Sequence, residues 1–71
     1  MTSKAYTLTQ SPKRVYVDFE NGPAFRALAV NTWGRKYWVI EEWDNLKGVY
    51  NYSGKERTAN EAIQAIILDN Q

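Results

Sequence analysis

Residues 13–20 alternate without a break. Val15, Val17 and Phe19 fall on one side of an extended chain, and Arg14, Tyr16, Asp18 and Glu20 fall on the other. A period of two is what a half-buried β-strand requires. Asn21-Gly22-Pro23 follows and turns the chain. A three-residue loop there sets Glu20 opposite Ala24, and with it Phe19 opposite Phe25, Val17 opposite Ala27 and Val15 opposite Ala29, so that one apolar face runs on unbroken. The two-residue loop Asn21-Gly22 would put Arg26 opposite Val17 on that face, a one-residue slip that a buried face resists.

The next strand, residues 24–31, is apolar on both sides, since Leu28 and Val30 oppose Phe25, Ala27 and Ala29; it is expected to be central. Thr32-Trp33-Gly34-Arg35 makes the following turn, and residues 36–43 form a third strand. Pairing Asn31 with Lys36 brings Ala29 to Trp38, Ala27 to Ile40 and Arg26 to Glu41, with Asp18 on the arginine's other side. Asn45-Leu46-Lys47-Gly48 is a four-residue hairpin loop in which Gly48 takes positive φ; it pairs Asp44 with Val49 and Trp43 with Tyr50, and a fourth strand covers residues 49–53.

Thr58-Ala59-Asn60-Glu61 is a capping box, with the threonine hydroxyl accepting from the Glu61 backbone and the glutamate reaching back to the cap. Ala59, Ala62, Ile63, Ile66 and Ile67 then recur at spacings of three and four, and Asn70 can end the helix. The expected fold is therefore α+β: a four-stranded antiparallel sheet with one C-terminal helix packed on one face. Residues 1–12, polar and rich in Thr and Ser, are expected to form a flexible N-terminal arm, and residues 13–71 a single small domain. The expected core is Val15, Val17, Phe19, Phe25, Ala27, Ala29, Trp38, Ile40 and Val49 with Ile63, Ile66 and Ile67, the small Ala27 and Ala29 letting the helix lie close.

A helix of about eleven residues is roughly 16 Å long and covers one face of such a sheet, not two. The other face collects Tyr16, Leu28, Val30, Tyr37, Val39, Trp43, Tyr50 and Tyr52 around the row Asp18, Arg26, Glu41. Exposed apolar surface of that extent marks a partner site, and interface cores are rich in Tyr, Trp and Arg. The alternative is a cross-strand ladder in which the aromatics shield one another. Trp33, Arg35 and Lys36 surround one turn, where basic and aromatic residues together can bind a nucleic-acid strand. Against that stands a formal net charge of +1, with nine Lys and Arg facing eight Asp and Glu.

The 71 residues contain no histidine and no cysteine. The usual proton-transfer group near neutral pH, thiolate chemistry, disulfides and Cys-type zinc sites are thereby excluded. Ser53-Gly54-Lys55 lacks the rest of a phosphate-binding glycine loop, and Glu41 and Glu42, adjacent on a strand, point to opposite faces and cannot act as a paired acid and base. The acidic residues show no EF-hand spacing. No enzyme, cofactor or metal is expected. No apolar run is long enough for a signal peptide or a membrane span, so the expected compartment is the cytoplasm and no membrane partner is expected.

Two partial resemblances bear on function. The SKAYTLTQSP arm, the compact body from KRVYVDFENG and the TANEAIQAII helix resemble, in size and layout, the small RNA-polymerase-binding inhibitors and antiterminators of lytic bacteriophages. That resemblance implies a phage-encoded regulator acting in the host cytoplasm on bacterial RNA polymerase, and it carries over no site residue. FRALAVNTWGRKYWVI with ERTANEAIQAII is similar to the three-stranded-sheet-plus-helix DNA-binding modules of the plant AP2 and phage-integrase-arm type, which lay their sheet in the major groove. The chain departs from that pattern by placing Asp18, Glu41, Glu42 and Asp44 where phosphates would approach. The expected function is thus a non-enzymatic, protein-binding regulator of transcription, with a DNA-binding module as the alternative and a homodimer through the same face as a third. The candidate contact residues are Tyr16, Arg26, Leu28, Val30, Trp33, Arg35, Tyr37, Trp43, Tyr50 and Tyr52, with Trp43, Tyr50 and Tyr52 as anchors.

Overall fold

The computed structural model describes residues 5–70. Five strands, β1 (Tyr6–Ser11), β2 (Arg14–Phe19), β3 (Ala24–Thr32), β4 (Arg35–Asp44) and β5 (Val49–Glu56), precede one helix, α1 (Ala59–Asp69). The strands form a single antiparallel meander in the order β1-β2-β3-β4-β5, and α1 packs across β2 to β5 on one face. The α+β class, the antiparallel sheet and the C-terminal helix agree with the sequence patterns. The sheet has five strands where four were expected.

The extra strand is β1, in the segment expected to be a flexible arm; residues 1–4 lie outside the described residues. Tyr6 and Leu8 alternate with Thr7 and Thr9, and Ser11-Pro12-Lys13-Arg14 turns the chain so that Tyr6 pairs with Phe19, Leu8 with Val17 and Gln10 with Val15. With only two apolar side chains and no helix above it, β1 stays exposed along its whole length. Its order comes from the ladder with β2 and from the edge-on contact of Tyr6 with Phe19, ring centroids 5.8 Å apart.

The β2–β3 hairpin also differs from expectation. Val15 pairs with Ala27 and Val17 with Phe25, two residues out of the expected register, through a five-residue loop, residues 19–23. Asn21 takes a left-handed φ of 55°, the Gly22 N–H donates to the Phe19 carbonyl at 3.2 Å, and the Phe19 N–H donates to the Pro23 carbonyl at 3.1 Å. Because the side-chain period is two, this shift keeps every apolar residue on its expected face. It frees Phe19 to close over the end of the core against Phe25, at 6.1 Å and 88°. It also sets Tyr16, not Asp18, opposite Arg26, so the expected Asp18–Arg26–Glu41 row does not form.

The β3–β4 and β4–β5 registers are the expected ones: Asn31 with Lys36, Ala29 with Trp38, Arg26 with Glu41, Trp43 with Tyr50 and Asp44 with Val49. Gly48 has the positive φ its loop requires, 67°. β5 continues past residue 53 because Ile40 pairs with Gly54 while Glu41 pairs with Tyr52; Ser53 is an extra residue, a bulge on an edge strand of the kind that discourages further pairing.

Thr58 caps α1: its Oγ1 accepts from the Glu61 N–H at 3.1 Å, and its hydroxyl donates to Glu61 Oε1 at 3.1 Å, so the glutamate returns to the cap's side chain instead of its backbone. Asn70 ends the helix, its Nδ2 donating to the Ile66 carbonyl at 2.8 Å. Ala62, Ile63 and Ile66 meet Val15, Val17, Phe19, Phe25, Ala27 and Ile40 in one core, with half-buried Trp38, Ala59, Ala65 and Ile67 around it. Ala29 and Val49, expected inside, are exposed. Ala29 lies toward the far end of β3 and Val49 begins the edge strand β5, both at the margin of what an eleven-residue helix covers.

Candidate binding surfaces

The helix-free face is built by side chains that alternate with the core. Going up this face from the middle of the sheet, the registers stack three rows: Tyr16, Arg26, Glu41 and Tyr52; then Arg14, Leu28, Val39 and Lys55; then Val30 and Tyr37. Arg26 is held from two sides. Its Nε donates to Glu41 Oε1 at 2.6 Å, and its guanidinium carbon lies 3.7 Å from the Tyr50 ring centroid, a cation–π contact. Tyr50 in turn meets the Trp43 edge at 5.0 Å and 61°. Tyr16, Leu28, Val30, Tyr37, Val39 and Tyr50 are half-buried by one another, so much of this face is a ladder that shields itself. Tyr52, 66% exposed, stands out of it.

The ten candidate residues do not form one patch. Tyr16, Arg26, Trp43, Tyr50 and Tyr52 gather from the middle of the sheet to the end with the β4–β5 loop; Leu28, Val30, Trp33, Arg35 and Tyr37 lie toward the end with the β3–β4 turn. The charges separate the same way. At the β3–β4 end stand Lys13, Arg14, Arg35, Lys36, Lys55 and Arg57, six cations against Glu56 and Glu61. Among the described residues the β4–β5 end carries Asp18, Glu20, Glu42, Asp44 and Asp69, five carboxylates against Lys47. Arg26–Glu41, the one salt bridge among the described residues, lies between. α1 starts at the basic end and finishes at the acidic end, so its dipole adds to the asymmetry. The ten residues of β4 set the two loops about 33 Å apart at 3.3 Å per residue, several times the ~8 Å screening length at physiological salt. A ligand at either end therefore meets that end's charge and not the formal net charge of +1.

At the acidic end a fully exposed leucine, Leu46, which the sequence patterns left as an ordinary loop residue, is 99% exposed at the tip of the β4–β5 loop. Asp44 organises that loop. Its Oδ1 accepts from the Leu46 N–H at 2.9 Å and the Lys47 N–H at 3.1 Å, its carbonyl accepts from the Gly48 N–H at 2.8 Å, and Asn51 Nδ2 donates to its Oδ2 at 3.3 Å. Trp43 Nε1 donates to Asn45 Oδ1 at 2.8 Å, which fixes the indole behind the loop with 36% of its surface open.

At the basic end Trp33 and Gly34 form a two-residue turn with φ of 54° and 76°, the I′ conformation that favours Asn-Gly. A bulky aromatic at the first position is disfavoured there, and Trp33 is 97% exposed, so the fold gains no packing from it. Beside the turn an open hollow of about 610 Å³ is lined by Arg35, Lys36, Tyr37, Lys55, Glu56, Arg57 and Glu61. A second, of about 560 Å³, shares Lys36 and Tyr37 with it and extends to Lys13 and Trp38. Lys55 Nζ lies 5.5 Å from the Tyr37 ring centroid.

No group of three or more Asp or Glu side chains is placed to hold a metal ion among the described residues. No described helix is long and apolar enough to cross a membrane. No protein-family model, curated protein or solved structure matches this chain significantly.

Proposed function

We propose that the chain is a non-enzymatic protein-binding module that docks by its acidic end onto a partner surface offering an apolar pocket rimmed by Lys and Arg. The observation that carries this is Leu46: a large apolar side chain held wholly in solvent on a loop pinned through Asp44, with exposed Trp43 and Val49 flanking that loop and exposed Tyr52 further down β5. A pinned loop loses little conformational freedom on binding, so an exposed anchor on it converts contact into affinity efficiently. The carboxylates Asp18, Glu20, Glu42 and Asp69 at the same end of the sheet repel phosphates and favour a basic rim on the partner. Tyr50, Arg26 and Glu41 act behind the contact, holding Trp43 in place.

The phage-regulator resemblance makes bacterial RNA polymerase the proposed partner and a change in its transcription the proposed outcome, by steric or allosteric means. The test is binding of purified core polymerase to the immobilised protein and to its Leu46→Asp variant. The expected result is a loss of about thirtyfold or more for the variant, as for a central anchor, with thermal stability unchanged because the Leu46 side chain is fully in solvent and the substitution keeps its backbone N–H. Equal binding by the variant would overturn the docking end. Absence of binding by the unmodified protein would overturn the partner.

A further inference from the structure

We infer that the basic end is a second binding site, one that takes single-stranded nucleic acid with its phosphates on Arg35, Lys36, Lys55 and Arg57 and its bases stacked on Tyr37 and Trp33. Three observations, each independent of the acidic end, point to this ligand. The four cations converge on one open hollow from two strands and the start of the helix connection, and none is salt-bridged within the described residues. Glu56 and Glu61 line the same hollow and still leave it with an excess of positive charge, which favours an anionic ligand. Tyr37 also lines the hollow, and Lys55 Nζ lies 5.5 Å from its ring centroid, so that an aromatic ring and a cation stand side by side for a base and a phosphate.

Trp33 is the third observation and decides the kind of anion. The turn needs two residues with positive φ, which Asn-Gly supplies at little cost; a tryptophan there costs conformational energy and returns no contact within the fold. A displayed indole is of use to a ligand with a flat apolar face. Nucleobases in a single strand offer that face, at a gain per stacked base independent of sequence. Bases in a duplex are already stacked and an acidic peptide has none, so both should bind through the cations alone.

The second hollow gives the track its continuation. From Lys36 and Tyr37 it runs to Lys13, across the ends of β4, β3 and β2. At about 4.8 Å per strand this extends the path roughly another 10 Å, enough for more than one nucleotide.

The experiment is fluorescence anisotropy with a labelled twelve-residue oligothymidylate, a duplex of the same length and a poly-glutamate of matched charge, each titrated with the unmodified protein, Trp33→Asn and Arg35→Ala/Arg57→Ala. The expected result is tightest binding to the single strand, with affinity falling as about the third power of salt concentration for four neutralised phosphates. Trp33→Asn should bind the single strand about tenfold more weakly, keep its weak duplex binding and melt no lower than the unmodified protein. Arg35→Ala/Arg57→Ala should weaken all three probes. Equal affinity for duplex or poly-glutamate, or unchanged strand binding by Trp33→Asn, would overturn the inference, as would no binding of the oligothymidylate at 20 mM salt. Because Leu46→Asp alters only the acidic end, loss of strand binding in that variant would also count against the assignment, and a failure of the polymerase test leaves this one standing.

Discussion

The two hairpin tips of this molecule solve the same local problem in opposite ways. At the β4–β5 loop a leucine is exposed, but the backbone beneath it is relaxed: Asp44 accepts from the N–H groups of Leu46, Lys47 and Gly48, and glycine occupies the one left-handed position. At the β3–β4 turn a tryptophan is exposed and itself occupies a left-handed position, φ 54°, that Asn would fill better. The first tip is preorganised and acidic, the second strained and basic. Side chains of large apolar area that the fold does not use are thus presented at two ends of one sheet in opposite electrostatic settings, and that division is what the proposed functions rest on.

The largest effect that would break the comparison is charge reversal at one end. Arg35→Glu/Lys36→Glu/Arg57→Glu should lower oligothymidylate affinity by more than a hundredfold at 100 mM salt while leaving polymerase binding within about twofold; a joint loss measured on the same preparation would show that the ends are not independent. Next comes Trp43→Ala with Tyr52→Ala, expected to weaken polymerase binding by about thirtyfold and to leave strand binding unchanged by anisotropy. Asp44→Ala sharpens the argument about preorganisation. It removes the acceptor of two backbone N–H groups at the loop and should cost about 1–2 kcal/mol in urea unfolding, with a further loss of partner affinity through the loosened loop and the lost acidic charge.

The smallest effects read the fold alone. Trp33→Asn should stabilise the chain by about 1 kcal/mol, seen as a rise of roughly 4–8 °C in melting temperature for a domain this small; a fall would show that the indole has a structural role. Thr58→Ala should cost about 1 kcal/mol through loss of the helix cap, with partner binding at the acidic end unchanged.

How much of this was legible in the sequence follows from the range of each signal. The alternation in residues 13–20, the Thr32-Trp33-Gly34-Arg35 turn, the Asn45-Leu46-Lys47-Gly48 loop and the Thr58 capping box are local, and they located four strands, β2 to β5, and the helix. β1 was not legible because Tyr6 and Leu8 are its only apolar residues and its order depends on the neighbouring edge of β2. The β2–β3 register missed by two residues, an error the apolar face cannot detect since it maps each face onto itself. It mattered for charge, leaving Arg26 with Glu41 and Tyr50 but without Asp18. Eight of the ten contact candidates lie on the helix-free face where the alternation put them, and Trp33 and Arg35 at the turn, yet the division between two ends was hidden, because a net charge of +1 is a sum over positions that only the antiparallel registers place. Leu46 left no periodic signal at all; in a loop, exposure is the default expectation, and only the hydrogen bonds around Asp44 show that it is held there.

The claim that the two ends are separate binding surfaces is tested most directly by a backbone and indole ¹H–¹⁵N spectrum recorded as oligothymidylate is added. The Trp33 indole and the amides of Arg35, Lys36, Tyr37, Lys55 and Arg57 should shift progressively while those of Trp43, Asp44, Leu46 and Lys47 stay in place. Shifts centred on Trp43 and Leu46, or spread evenly over both ends, would contradict it.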